Sequence, residues 1–181
     1  MLIVGIAIGH AVMLLSHHPQ GKALRPVLPL ICPTPSSSLE TLTAFTPRFI
    51  VGVAFALAGG LFRWVAMRKL GGLFTYEVVI KDDHQLVASG PYSIVRHPGY
   101  TGVLLLLIGV HLSLWDDAGY ISQCNLSYTP QFMFMPMLST FAVVNLARRC
   151  SGEDAQLRSH FGETWEKYRA QVPYCMIPYM Y

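Results

Sequence analysis

The sequence predicts an all-α integral membrane protein with about four transmembrane helices. Hydrophobic residues make up 52% of its 181 residues and charged residues only 13%, a composition that is unusual for a water-soluble domain. The apolar residues also cluster into runs that carry little or no charge. A bilayer core about 30 Å thick requires about 20 helical residues, so runs of this kind predict membrane helices. The runs cover residues 1–15, 49–67, 99–115 and 126–147.

The first run is the shortest of the four. No basic residue precedes it and no small-residue cleavage site follows it, which favours a membrane helix over a secretory signal peptide. The second run contains Arg63 near one end, where a long side chain reaches the interface. Between these runs, residues 16–47 form a connector rich in proline and serine, which favours irregular structure. We expect residues 48–181 to form the core of the protein, with a cytosolic tail at 148–181.

The positions of lysine and arginine predict how the chain crosses the membrane. The link between the second and third runs and the tail after the fourth carry several basic residues, whereas the link at 116–125 carries none. By the positive-inside rule, the 68–98 link, the tail and the N-terminus face the cytosol. Lys22 and Arg25 in the first connector, and Arg48 directly after it, speak mildly against this orientation. The formal net charge of +3 is too small and too scattered to indicate a nucleic-acid partner.

The cysteines show no paired spacing such as Cys-x-x-Cys. The sequence therefore predicts neither a disulfide framework nor a metal site, and we expect reduced cysteines that pack in the interior. His111, midway along the third run, is better explained by a buried hydrogen bond than by metal ligation. The four cysteines are Cys32, Cys124, Cys150 and Cys175.

An irregular loop is predicted at residues 89–98, because Pro91 and Pro98 each push the preceding residue out of the helical conformation. Irregular backbone beside a bilayer is tolerated where it is buried in protein or lines a cavity. The tail instead has helix-forming composition and an amphipathic stripe, which we expect to pack on the membrane surface or on the helical bundle. The stripe consists of Leu157, Phe161, Trp165 and Tyr168.

Polar side chains form two groups on the same predicted side of the membrane. Arg149 and Glu153 are four residues apart and lie on one helix face, where an ordinary surface ion pair is the simplest interpretation. Arg96 by itself is equally consistent with a cation at the interface, and His97 with a hydrogen bond to nearby backbone. The first group contains His84, Tyr92, Arg96, His97 and Tyr100, and the second contains Arg149, Glu153 and Asp154.

Three motifs in order give the sequence a resemblance to a known family. They read HxLVxSGxY at 84–92, RHPxYxG at 96–102 and RxxxExxxLxxxFGxxWxxY at 149–168. Together with the apolar runs between them, they resemble the protein-S-isoprenylcysteine O-methyltransferases (isoprenylcysteine carboxyl methyltransferases), especially the fungal type. The resemblance covers residues 70–181.

This resemblance implies an S-adenosylmethionine-dependent methyltransferase that acts on the C-terminal carboxylate of prenylated cysteine. The implied partners are prenylated CaaX-type proteins and the lipid bilayer, with no nucleic acid and no metal. The implied location is the endoplasmic reticulum, with the active site facing the cytosol. Two alternatives stay open: a methyltransferase of the same architecture that acts on another lipid such as a phospholipid amine, and a non-catalytic membrane scaffold.

The resemblance also implies roles for individual residues. Arg149 and Arg96 would bind the substrate carboxylate, and Arg149 and Glu153 would be the catalytic residues. A C-terminal carboxylate has a reference pKa of about 3.3 to 3.7 and is ionised at neutral pH, so alignment matters more than a general base. The implied cofactor contacts are His84, Gln85, Leu86, Val87, Tyr92, His97, Pro98, Gly99, Tyr100 and Glu153.

Overall fold

The computed structural model describes residues 8–9, 11–13, 15–16, 19–35, 45–73 and 86–180. Within these ranges the chain is helical and contains no strand, in agreement with the predicted all-α class. The predicted first membrane helix at 1–15 lies largely outside them. The α-helices are α1 (Leu28–Ile31), α2 (Pro47–Leu70), α3 (Pro98–Leu114), α4 (Tyr120–Gln123), α5 (Pro130–Phe161) and α6 (Glu163–Gln171), and 3-10 turns occur at Pro19–Val27, Gly71–Leu73, Gly90–Ser93 and Leu126–Tyr128.

Among the described helices, α2 is long and apolar enough to cross a bilayer, whereas α3 is apolar but shorter. α2 has 24 residues, and bulky apolar side chains such as Leu61 and Trp64 remain exposed on it. Arg68 and Lys69 occupy its last turn, where cations stabilise the partial negative charge of a helix C-terminus. Gly71 follows at φ +55°, a left-handed conformation that commonly ends helices. These features support membrane association, and four crossings remain a prediction.

The chain divides into two compact units, of which the first comprises Met1–Ala54 and Ile108–Leu138. Its described core contains a disulfide between Cys32 and Cys124, whose Cα atoms lie 5.0 Å apart although 92 positions separate them in sequence. The expectation of reduced cysteines is therefore wrong for this pair. Spacing rules detect local motifs, and they carry no information on two distant cysteines that folding brings together. The disulfide lies among Met13, Tyr120, Ile121, Leu126 and Phe132.

The second unit comprises Phe55–Leu107 and Ser139–Tyr181. Within it, glycine permits α2 and α3 to approach closely, because a Cβ atom added at Gly59 would lie 2.6 Å from the carbonyl oxygen of Gly102. Arg63, one turn further along α2, is half-buried and donates from Nη1 to the Gly99 carbonyl oxygen at 3.0 Å. This contact fixes the start of α3, and with it the end of the irregular loop, against α2.

Helix α5 extends for 32 residues and continues the predicted fourth run into the tail. Residues 149–154 therefore lie on a long helix that begins well before them. α5 is followed by Gly162 at φ +52°, after which α6 begins. The predicted amphipathic stripe packs within the second unit. Trp165 and Tyr168 of the stripe form a buried cluster with Val172. Leu157 and Phe161 of the stripe pack against this cluster, as does Leu86.

Candidate active site

The RHPxY motif lies in the second unit, where the C-terminal segment holds its backbone. The amide nitrogens of Arg96 and His97 donate to the carbonyl oxygens of Tyr174 and Cys175, both at 2.9 Å. Irregular backbone needs such partners because no neighbouring helical turn satisfies its polar groups. Residues that are distant in sequence therefore set the position of the motif.

Arg96 is buried and held by the chain itself. Its Nε and Nη2 atoms donate to Oδ2 of Asp154 at 3.1 and 2.8 Å. Nη1 donates to the carbonyl oxygens of Val172 and Pro173 at 3.0 and 2.5 Å, and only 8% of the side chain is exposed. All three guanidinium nitrogens are thus engaged with protein groups, which gives Arg96 a positioning role. Binding of a substrate carboxylate by Arg96 stays a prediction.

The imidazole of His97 lies between two carboxylates. Nε2 is 2.9 Å from Oδ1 of Asp154, and Nδ1 is 3.3 Å from Oε2 of Glu153. Burial by itself lowers the pKa of His97, but the hydrogen bonds to Asp154 and Glu153 outweigh it and raise the pKa to about 9. Burial also raises the pKa of both carboxyl groups, yet the hydrogen bonds with His97 and its neighbours hold both pKa values below their ordinary range. At neutral pH an imidazolium therefore sits between two carboxylates.

Glu153 joins side chains from two of the motifs. Its Oε1 accepts a hydrogen bond from the Tyr100 hydroxyl at 2.5 Å and another from Nε of Arg149 at 2.8 Å. Tyr100 also stacks on His97, with ring centroids 5.6 Å apart. Arg149 is the more accessible partner, since 46% of its side chain is exposed, compared with 17% for Glu153. A ligand that arrives from solvent would therefore meet Arg149 before it meets Glu153.

The remaining predicted cofactor residues have varied surroundings. Pro98 is buried at the start of α3, and Leu86 packs against the buried Trp165. Burial raises the pKa of the Tyr92 hydroxyl, and the nearby negative charge of Glu153 raises it further. Val87 is half-buried, and the carbonyl oxygen of Gly99 accepts the hydrogen bond from Arg63. His84 and Gln85 lie outside the described residues.

Sequence reasoning left Asp154 without a role, although it binds both Arg96 and His97. Neighbouring carboxylates on a helix point about 100° apart and can face two sets of partners, which is the signal that could have identified it. Cys150 and Cys175, both buried and free of disulfides, were also missed near the site. No local spacing marks these two cysteines as neighbours.

A cavity of about 520 Å³ in the second unit borders the candidate site, since Arg96, Asp154 and Cys175 are among the residues that line it. Ser151, Ala155 and Arg158 line it, and at about 3.6 residues per turn these positions are roughly opposite Arg149 and Glu153. Three arginine side chains and one carboxylate, that of Asp154, border this cavity, so the lining carries an excess of positive charge that disfavours a sulfonium cation. The Glu153 side offers the ring of Tyr100, which can face a cation, beside a carboxylate whose charge Arg149 and His97 already balance. The aromatic ring is the feature on the Glu153 side that suits a cationic methyl donor, and binding of the donor there stays a prediction.

Comparisons with known proteins place the chain among related sequences. The sequence model of the isoprenylcysteine carboxyl methyltransferase (ICMT) family matches residues 52–158. Protein-S-isoprenylcysteine O-methyltransferase of Schizosaccharomyces pombe is 31% identical over 123 residues, which cover 67% of this chain and 46% of the relative. A probable protein-S-isoprenylcysteine O-methyltransferase of Oryza sativa subsp. indica is 31% identical over 124 residues, which cover 67% and 57%.

A relative with a different name is Delta(14)-sterol reductase of Mus musculus, which is 30% identical over 97 residues covering 54% of this chain and 20% of the relative. The chain spans about half the length of the two methyltransferase relatives. No solved structure matches the chain significantly.

Proposed function

The chain belongs to the isoprenylcysteine carboxyl methyltransferase family, and from this premise we propose that it transfers a methyl group from S-adenosylmethionine to the C-terminal carboxylate of a prenylated cysteine. The observation that carries the proposal is the convergence on Glu153. Tyr100 and His97 from one motif and Arg149 from another all contact this carboxylate. The names of the two methyltransferase relatives support the same reaction.

Arg149 is the proposed clamp for the substrate carboxylate. A guanidinium group binds a carboxylate through two parallel N–H donors, and that of Arg149 is the accessible one in this cluster. Its Nε donates to Glu153 at 2.8 Å, which restricts the plane in which a carboxylate is held. Because the substrate carboxylate is already ionised at neutral pH, Arg149 contributes alignment and no proton transfer is required.

Glu153 is the proposed contact to the cationic part of the cofactor. When bound, S-adenosylmethionine supplies a methyl group that is activated by its positively charged sulfur. The rings of Tyr92 and Tyr100 provide aromatic surface for that charge, and the Glu153 carboxylate accepts a hydrogen bond from Tyr100. His97 holds the second carboxylate oxygen, so Glu153 is oriented before any ligand arrives. The rest of the proposed cofactor set is His84, Gln85, Leu86, Val87, Pro98 and Gly99.

The proposed setting is a membrane crossed four times by the chain, in the endoplasmic reticulum, with the site facing the cytosol and prenylated CaaX-type proteins as substrates. The exposed apolar side chains of α2 support direct contact with lipid. A prenyl chain gains about 0.8 kcal/mol for each methylene group that it buries in the bilayer. The membrane thereby concentrates the substrate in the layer where the site lies.

Methyl transfer tests this proposal directly. Membranes that contain the protein are incubated with labelled S-adenosylmethionine and either N-acetyl farnesylcysteine or its methyl ester. We expect label on the free acid and none on the ester, because the ester has no carboxylate to accept a methyl group. Label on a phospholipid amine would support the alternative acceptor, and loss of both transfer and cofactor binding would support a non-catalytic scaffold. Reduction of a sterol without methyl transfer would favour the activity named for the reductase relative.

A pair of variants tests the clamp. Removing a charged hydrogen-bonding partner typically costs about 1.5 to 3 kcal/mol, so Arg149→Ala should raise the KM for prenylcysteine by about 10- to 100-fold. Binding of S-adenosylmethionine should change little. Arg148→Ala is the matched control, since Arg148 is the exposed neighbour on the same helix and lies outside the proposed site. Unchanged kinetics in Arg149→Ala would remove the clamp from the mechanism.

A further inference from the structure

Three buried side chains with metal-binding atoms meet beside the candidate active site. They are His97 from the RHPxY motif, Cys150 from α5 and Cys175 from the C-terminal segment. One ligand atom of each residue lies within 4.8 Å of those of the other two. All three side chains are buried, and all three belong to the second unit. The donors therefore converge from three segments of the chain on one enclosed point.

The spacing of these atoms is close to that of a metal site. Zinc binds thiolate sulfur at about 2.3 Å and imidazole nitrogen at about 2.0 to 2.1 Å, so ligand atoms around one tetrahedral ion lie roughly 3.5 to 4 Å apart. The donors observed here need only small side-chain movements to reach that separation. Two sulfur donors and one imidazole select thiophilic ions such as Zn²⁺ over Mg²⁺ or Ca²⁺, which take oxygen ligands.

The surroundings of His97 supply the outer contact that metal-binding histidines usually have. Such a histidine commonly donates its second ring N–H to a carboxylate, which fixes the orientation of the ring. Here Asp154 lies 2.9 Å from one ring nitrogen and is itself fixed by Arg96. The other ring nitrogen makes the longer contact, 3.3 Å to Glu153. A metal ion would replace this contact, and Tyr100 and Arg149 would still hold Glu153 in place.

The backbone also holds two of the three ligand residues in register. The backbone amide of His97 donates to the backbone carbonyl oxygen of Cys175 at 2.9 Å. The two residues that carry the imidazole and the thiol are therefore held next to each other. Cys150 lies one helical turn before Asp154, on the same side of α5. Cys150 and Cys175 share a buried cluster with Met176. These contacts hold the three donor residues close together before a metal ion binds.

We propose that His97, Cys150 and Cys175 bind one thiophilic divalent metal ion, with Zn²⁺ as the expected ion and water as the fourth ligand. Binding forms two metal–thiolate bonds and one metal–imidazole bond. It releases one proton from each thiol and one from the imidazolium, and no oxidation state changes. The ion would join the RHPxY motif, α5 and the C-terminal segment.

Cobalt spectroscopy on the purified full chain tests this site. The protein is kept in detergent with a phosphine reductant, stripped of metal with a chelator, and titrated with Co²⁺ alone. We expect one equivalent to produce visible bands of a tetrahedral ion together with a near-ultraviolet thiolate-to-metal band, and Zn²⁺ to abolish both. Cys150→Ser and Cys175→Ser should each greatly weaken the near-ultraviolet band. The double variant Cys32→Ser/Cys124→Ser should retain it, since it removes the other pair of cysteines.

The wild-type spectrum alone can overturn the proposal, even if a variant does not fold. With both thiols shown to be reduced by thiol titration, absence of the near-ultraviolet band rules out the site. A band that persists in both Cys150→Ser and Cys175→Ser rules it out as well, because the metal then lies elsewhere. This readout is independent of methyl transfer, so a failed methylation assay with an intact cobalt spectrum would affect only the proposed function.

Discussion

Asp154→Asn is the substitution whose effect follows most directly from the structure. Asp154 accepts two hydrogen bonds from Arg96 and contacts His97, and its side chain is 15% exposed while each partner's is 8% exposed. Removing one member of a buried ion pair costs about 3 to 5 kcal/mol, because the other charge stays buried. Asparagine keeps one oxygen acceptor, so we expect a loss near the lower end, about 3 kcal/mol. That is a large share of the roughly 5 to 15 kcal/mol that stabilises a typical domain.

The same substitution should change how stability depends on pH. The pKa of His97 is raised to about 9 from 6.5 in the unfolded chain. A raised pKa contributes stability that is complete below about pH 6.5 and is lost as the pH rises through about 9, on the order of 3 kcal/mol at 1.36 kcal/mol for each pH unit. In Asp154→Asn the pKa of His97 should fall, because its closest carboxylate is gone. The loss of stability between pH 6.5 and 9 should then become smaller than in the wild type.

Equilibrium unfolding of the metal-free proteins in detergent, measured at pH 6, 7.5 and 9 for both, provides the assay. Gln156→Ala is the control, since this exposed residue lies on the same helix and surface substitutions usually change stability by less than about 0.5 kcal/mol. A loss of stability in Asp154→Asn no larger than that of the control would show that Asp154 does not stabilise the buried charges of Arg96 and His97. A variant whose stability depends on pH as the wild type's does would show that Asp154 does not raise the pKa of His97.

Three other predictions concern helix packing, the disulfide and a hydrogen bond. Gly59→Ala should destabilise the protein by about 1 to 3 kcal/mol, because a Cβ atom there would lie 2.6 Å from backbone atoms of α3. Gly60→Ala is the control, since a Cβ atom at Gly60 meets nothing within 4 Å, and equal melting temperatures for the two variants would contradict the prediction. Reduction of the Cys32–Cys124 disulfide should cost about 2 to 5 kcal/mol, seen as a lower melting temperature in reductant, and an unchanged melt would argue against the bond. Tyr168→Phe removes a hydrogen bond of 2.7 Å to the carbonyl oxygen of Tyr92 and should lower the free energy of unfolding by about 1 kcal/mol, as measured by chemical unfolding. An unchanged free energy of unfolding would argue that this bond does not hold the loop.

Local features of the site could be predicted because they depend on spacing along one helix. Arg149 and Glu153 are four residues apart, which places them on one face, and the structure shows that contact at 2.8 Å. The long charge-poor runs likewise predict helices where α2 and α3 occur, since few other structures suit apolar composition of that length. The end of α5 was harder to predict. Its charged residues resemble the end of a membrane helix, although a helix can continue in water after its apolar run ends.

Contacts between distant segments could not be predicted from local patterns. Asp154 meets Arg96 across 58 positions, and Cys32 meets Cys124 across 92. Such pairs depend on how helices pack, which neither composition nor periodicity encodes. Without the contact to Asp154, Arg96 resembles any basic residue at a membrane boundary.

The disulfide of the first unit is also a chemical marker of membrane sidedness. Disulfides persist in oxidising compartments such as the lumen of the endoplasmic reticulum and are rare in the reducing cytosol. Cys32 lies in the connector at 16–47 and Cys124 in the link at 116–125, the two segments that an N-terminus facing the cytosol would place on the lumenal side. The predicted orientation would place both cysteines of this bond in the same oxidising compartment, and the orientation itself stays a prediction. Alkylation of these two thiols by an impermeant reagent, only after the vesicles are opened and reduced, would record that topology in covalent form.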